Sequence, residues 1–245
     1  MDFTTDKYQE LLKALNNHNN FKLRHDVDLR PEYALRIAQL ESTAGVQATY
    51  YFRAMHFDSH SETIKAIVAL GHTTGYHYEN LATCHGDIEA AYSDFCQNLG
   101  KLRKIVPVNT ACAHGSPRSP WNSQDIWEHH DIHSLGIEYE PMLDTDFSST
   151  LYLTDTGRRW DGYRVSVRDK VPKYQEQWNR EGLTFHTTDD IIHALNITGH
   201  PIHCWDLLIN THTQRWMPFG VNWMIEASAQ NIKNIAKMII VCAKY

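Results

Sequence analysis

Four apolar stretches of this chain each run directly into side chains of the kind that bind metal ions, and that repetition limits the folds open to it. Phe21-Lys22-Leu23 leads into Arg24-His25-Asp26-Val27-Asp28, and Thr73 to Tyr76 leads into His77-Tyr78-Glu79. Asn109 to Ala113 leads into His114-Gly115, and Leu207 to Asn210 into Thr211-His212. Stretches with apolar residues at helical spacing lie between such runs, for example Ile88, Ala91, Tyr92, Phe95, Leu99 and Leu102. Strands that alternate with helices pair in parallel through crossovers, and about 250 residues is the usual size of a (β/α) barrel. The 245 residues therefore read as an α/β fold, a (β/α) barrel of seven strands, in one domain over 1–245. An open doubly wound sheet is the alternative, although no G-x-G-x-x-G or P-loop follows any strand.

The seven expected strands are Phe21 to Val27, Ala48 to Arg53, Thr73 to Tyr76, Val108 to Ala113, Leu151 to Thr154, Leu183 to His186 and Ile202 to Ile209. Helices are expected around Tyr8 to Leu15, from Pro31 to Gly45, over Ser61 to Leu70, Asp87 to Ile105, Thr188 to Asn196 and Asn222 to Ile240. Ser116 to Asp146 reads as loop.

Composition removes several classes of function. A formal net charge of −6 lacks the basic footprint of a protein that binds nucleic acid or anionic lipid. No run approaches the roughly 18 apolar residues of a membrane span, and MDFTTDKYQELLK has no leader-like pattern, so a cytoplasmic location is expected. The five cysteines, Cys84, Cys96, Cys112, Cys204 and Cys242, form no C-x-x-C pair and read as reduced thiols rather than a disulfide or zinc-ribbon framework. No G-x-S-x-G elbow is present, and the single Asp155-Thr156-Gly157 cannot supply the paired carboxylates of an aspartic protease. Histidine, at 16 residues, is the compositional outlier, and most of these side chains must be ordinary. His129, His130 and His133, like His56 and His60, read as a solvated face.

In an extended chain side chains alternate, so Asp26 and Asp28 project to one side while His25 and Val27 project to the other. Two carboxylates in one place do not ionise together comfortably unless a cation lies between them. Histidines arriving from other strand ends would complete a site for a divalent metal.

These residues resemble the polysaccharide deacetylases of the NodB-homology fold, carbohydrate esterase family 4, in a branch that opens with His-Asp-Val-Asp. The resemblance covers about Phe21 to Trp216 and is carried by RHDVDLRPEYALRIAQLE, GVQATYYF, LGHTTGYHYENL, the HG of ACAHGSP, and THTQRW. It implies Asp26 as catalytic base, Asp28 and His77 as metal ligands, and His212 as general acid. The family's second histidine, four residues after the first, is here Leu81. His114 is the substitute ligand, with Glu79 and His85 in reserve. The arginine-proline motif expected after the third active-site strand is replaced by His114-Gly115-Ser116-Pro117, and Thr213 stands where proline is common.

The implied reaction is removal of an N-acetyl group from an amino sugar or glycoconjugate. A divalent ion, zinc first, polarises the amide carbonyl and lowers the pKa of bound water. Asp26 takes the water proton, and His212 protonates the departing amine. Arg159, Trp160 and Trp216 are candidates for substrate contact, because arginine forks bind acidic groups and tryptophan stacks on sugar faces. Two other readings compete. One is a non-catalytic carbohydrate-binding protein or scaffold on a decayed deacetylase fold, and the other is hydrolysis of another small C–N bond, such as a ureide or formamide.

Overall fold

The computed structural model describes residues 1–116, 118–164, 166 and 168–242. In chain order the longer elements are α1 Thr5–Leu15, β1 Phe21–Val27, α2 Pro31–Thr43, β2 Ala48–Phe52, α3 Ser61–Ala69, β3 Thr73–Tyr78, α4 Asn80–Thr83, α5 Ile88–Arg103 and β4 Ala111–Ala113. They continue with α6 Pro141–Asp144, β5 Thr150–Thr154, α7 Pro172–Arg180, α8 Thr188–Asn196, β6 Asp206–Thr211 and α9 Val221–Cys242. The architecture is α/β with parallel strands, as expected, but the described residues form six strands in the order β4-β3-β2-β1-β6-β5 rather than seven. No helix among the described residues is long and apolar enough to cross a membrane.

The chain forms two compact units. One comprises His25–Ser42 and Gln47–Thr145. Its strands β2, β3 and β4 run parallel with Tyr51 opposite Gly75 and His77 opposite Cys112. The register explains the glycine: a Cβ at Gly75 would meet the Tyr51 ring at 2.6 Å and the Thr110 carbonyl oxygen at 2.8 Å. The Tyr51 hydroxyl instead reaches Thr110 Oγ1 at 2.8 Å. Pro31 opens α2, where its missing N–H costs nothing. Asp87 caps α5 by accepting from the Ala90 N–H at 3.0 Å, and the helix buries Ala91, Phe95, Leu99 and Leu102.

The other unit comprises Met1–Arg24, Thr43–Val46 and Asp146–Tyr245. Strands β5 and β6 pair in parallel from Thr150 opposite Asp206 to Thr154 opposite Asn210. Helix α1 is capped by Thr4, and α8 by a reciprocal box between Thr187 and Asp190.

The missing strand is the one expected over Leu183 to His186. Its backbone donors serve helix ends instead of a ladder: the Leu183 N–H goes to the Trp178 carbonyl at 2.8 Å, and those of His186 and Thr187 go to Asp190 at 2.9 Å. Ile202 to Ile209 is likewise corrected. Pro201 begins a 3-10 turn over Pro201–Cys204, and β6 starts only at Asp206. Helix α7 was invisible to periodicity because Trp178 is its one buried side chain.

Candidate metal centre

The period-two alternation of β1 has the expected consequence. Asp26 and Asp28 face one side, and His25 faces the other, where its Nε2 lies 2.6 Å from buried Glu41. The Tyr50 hydroxyl donates to the same carboxylate. His25 is thus a core residue under α2 and not part of the site.

His77, in β3, and His114, one residue beyond β4, arrive beside Asp28. His77 Nε2 is 3.4 Å and His114 Nε2 is 3.6 Å from Asp28 Oδ1, while His77 Nε2 is 3.9 Å from Asp26 Oδ2. Oxygen and nitrogen donors on one tetrahedral zinc, each about 2.0–2.2 Å from it, lie about 3.3–3.6 Å apart. Both separations from Asp28 match that spacing, and the ligand atoms of Asp28, His77 and His114 all lie within 4.8 Å of one another, with Asp26 just outside that set. The two acids hold the buried His77 ring in an environment that favours positive charge. Burial works against protonation, but Asp26 and Asp28 outweigh it and raise the His77 pKa. What holds a proton there also holds a cation.

Hydrogen bonds behind the ligands fix their orientation. His77 Nδ1 is 2.9 Å from the Cys112 carbonyl oxygen, which makes it the N–H donor and leaves Nε2 to face the acids. His114 Nδ1 is 2.8 Å from Glu79 Oε2, with the same result. Glu79 also receives Arg53 through Nε at 3.0 Å and a second nitrogen, as well as the Ser116 hydroxyl. Burial opposes ionisation of Glu79, yet His114 and Arg53 together pull its pKa down to about 2. Glu79 is thus an ionised support for His114 and not itself in the donor set. The other reserve ligand, His85, sits on the turn after α4, where its ring lies 6.1 Å from that of Trp121. His56, expected in solvent, is buried and places its Nε2 3.0 Å from the Asp28 backbone carbonyl.

A second donor set shares His77. Ligand atoms of Asp26, His77 and Cys112 also lie within 4.8 Å of one another, and all three residues are buried.

His212, immediately after β6, belongs to the unit that holds β5. Its Nδ1 is 2.7 Å from Asp155 Oδ1, and its backbone N–H also donates to that carboxylate. Arg215 and the Trp216 indole N–H, at 3.0 Å, complete the shell around Asp155. Burial would push the Asp155 carboxyl up, but Arg215 and His212 hold it below the usual carboxylate value. Asp155, weighed in the sequence only as a single protease-like Asp-Thr-Gly, directly follows β5, so the strand-end pattern of Asp26, His77 and His114 extends to it. Cys112 was also legible, in the strand that runs into His114 and two residues before it.

The three expected substrate contacts are placed differently. Trp216 is fully buried, with its ring 5.0 Å from that of Phe3 and 4.9 Å from that of Tyr8. Trp160 is also buried and donates to Thr188 Oγ1 at 3.0 Å. Both rings are enclosed by the core, where large apolar rings bury the most surface, and are not set out on an exposed face. Arg159 is partly exposed and paired with Asp161.

No family model matches this sequence, and no curated protein matches it. Several solved structures resemble it. A carbohydrate esterase family 4 (CE4) esterase from Streptococcus mutans is 14% identical with a TM-score of 0.47, covering 96% of this chain and 88% of that one. A CE4 family pseudoenzyme from Bacillus anthracis is 13% identical with a TM-score of 0.42, covering 90% of this chain. This chain spans only 62% of the length of that pseudoenzyme. A variant of the peptidoglycan deacetylase PdaC from Bacillus subtilis is 10% identical with a TM-score of 0.40, covering 90% of this chain and 96% of that one.

Proposed function

We propose that this protein is a metal-dependent hydrolase that removes an N-acyl group, acetate in the first instance, from an amino sugar or glycoconjugate. The observation that carries the reading is the Asp28–His77–His114 donor set, with Asp26 poised beside it. When bound there, a divalent ion, zinc first, supplies Lewis acidity to an amide carbonyl and to water. The chain's own residues supply the rest. Asp28, His77 and His114 would hold the ion, each imidazole kept in one tautomer by the bond at its Nδ1.

Asp26, adjacent to the set and outside it, accepts the proton of the attacking water on its carboxylate. The general-acid role implied for His212 suits the way that residue is held. With Nδ1 turned to Asp155, Nε2 is the ring nitrogen through which a proton would pass to the departing amine.

The test is elemental analysis of untagged protein after dialysis against a weak chelator, followed by an acetate-release screen over N-acetylated amino-sugar oligomers. The expected result is about one divalent ion per chain, lost in Asp28→Asn and His77→Ala, with acetate released by wild type and not by Asp26→Asn. Metal retained in both ligand variants would overturn the site. Metal bound without acetate release from any N-acetyl sugar would overturn the substrate class.

A further inference from the structure

The strand register that positions His77 also places a thiol beside it. His77 and Cys112 are opposite one another in the parallel β3–β4 pair, so their side chains project from the same face of the sheet. Asp26 comes to the same place from β1. Together they form a donor set of a different character from the first: the outer set, Asp28–His77–His114, offers nitrogen and oxygen only, whereas the inner set offers sulfur. His77 Nδ1 is occupied by the Cys112 carbonyl oxygen, so one nitrogen, Nε2, must serve whichever ion is bound. The two sets therefore exclude one another.

From this geometry we infer that the protein carries a second, inner cation site, Asp26–His77–Cys112, that takes soft divalent ions such as cadmium in place of the ion held by the outer set. The inference rests on the outer set being a metal site, as proposed above. Its basis is donor softness. Carboxylate and imidazole serve many divalent ions, while thiolate favours cadmium and other strongly thiophilic ones over magnesium and manganese. Cys112 is fully buried, so its sulfur has no solvent to compete with. On binding, the Cys112 S–H bond breaks, the proton passes to solvent, and the sulfur lone pair forms the bond to the ion. A soft ion in the inner set also engages Asp26, the proposed base, and so inhibits the enzyme while occupying it.

The experiment is titration of metal-free protein with cadmium, read by the ultraviolet thiolate-to-cadmium charge-transfer band and by bound metal per chain, with manganese titrated in parallel. Wild type should develop the band to a plateau at one cadmium per chain. Cys112→Ser and Cys112→Ala should bind cadmium without the band and about tenfold or more weakly, with manganese affinity unchanged. Circular dichroism and thermal melting of both variants establish that they remain folded.

Cadmium binding by wild type without the band, or a band that persists in folded Cys112→Ser and Cys112→Ala, would overturn the inner site and leave the outer one standing. Persistence would trace the sulfur to another of the chain's cysteines, such as exposed Cys204. Failure of wild type to bind either metal would overturn both sites together.

Discussion

Glu79 stands behind His114, its Oε2 2.8 Å from the ring Nδ1, outside the Asp28–His77–His114 donor set. A carboxylate in this position fixes the imidazole tautomer and raises the basicity of the nitrogen that faces the metal.

The first prediction follows from that contact. Glu79→Gln keeps the size of the side chain and a hydrogen-bond acceptor but removes the charge that Arg53 and His114 share. Removing such a support typically costs about 10–100-fold in metal affinity. Zinc affinity measured by competition with a chromophoric chelator should fall in that range, with the thermal midpoint of the metal-free protein changed far less than the affinity. An unchanged affinity would return Glu79 to the status of an ordinary surface ion pair.

Asp155 sets a pH dependence of stability. Despite burial, its pKa is held below the ordinary aspartate value of 3.8 by Arg215 and His212. The unfolded chain therefore binds the proton first as pH falls, and the stability that Asp155 contributes is fully present above about 3.8 and lost as pH drops through the lower folded value. Asp155→Ala removes the carboxylate that receives Arg215 and the Trp216 indole N–H, leaving Arg215 the backbone carbonyl at that position, and should cost about 3–5 kcal/mol at neutral pH. Denaturant unfolding of both proteins from pH 7 downward should show the gap closing below the ordinary carboxylate range. A constant gap at every pH would contradict the assignment.

Glu41 should prove structural and not catalytic. It is fully buried, and its carboxylate receives His25 and the Tyr50 hydroxyl. Glu41→Ala strands both partners in the core, at a cost of about 3–5 kcal/mol. Urea unfolding should register that loss, while metal stoichiometry of the folded fraction stays at the wild-type value, because His25 projects away from Asp26 and Asp28.

Gly75→Ala tests the packing beneath the metal ligands. The added methyl meets the Tyr51 ring and the Thr110 carbonyl at less than contact distance, and overpacking of this kind costs about 1–3 kcal/mol. Because Gly75 lies two residues before His77 on the same strand face, metal affinity should fall together with stability. A tolerated Gly75→Ala with wild-type melting would show that Tyr51 is free to move aside.

The chain's local sequence was enough to place most of its elements. Phe21 to Val27 is a strand, Thr188 to Asn196 a helix, and the period of two in β1 by itself separated Asp26 and Asp28 from His25. Those features depend on side-chain alternation and capping within a few residues, which is why they are legible without a fold. That His114 comes beside Asp28 while Glu79 stands behind it was not legible in this way. It depends on the β3–β4 register, in which Tyr78 lies opposite Ala113 and the His114 N–H bonds to the Tyr78 carbonyl at 2.7 Å.

That pairing joins segments more than thirty residues apart in sequence, and one residue of slip would turn His114 to the other face. The burial of Trp160 and Trp216, the clamp of Asp155 on His212 and the neighbourhood of Cys112 and His77 likewise arise from long-range packing. Residue type and local period thus determined which chemistry the chain carries at its strand ends, whereas tertiary pairing decided which of those side chains share one site.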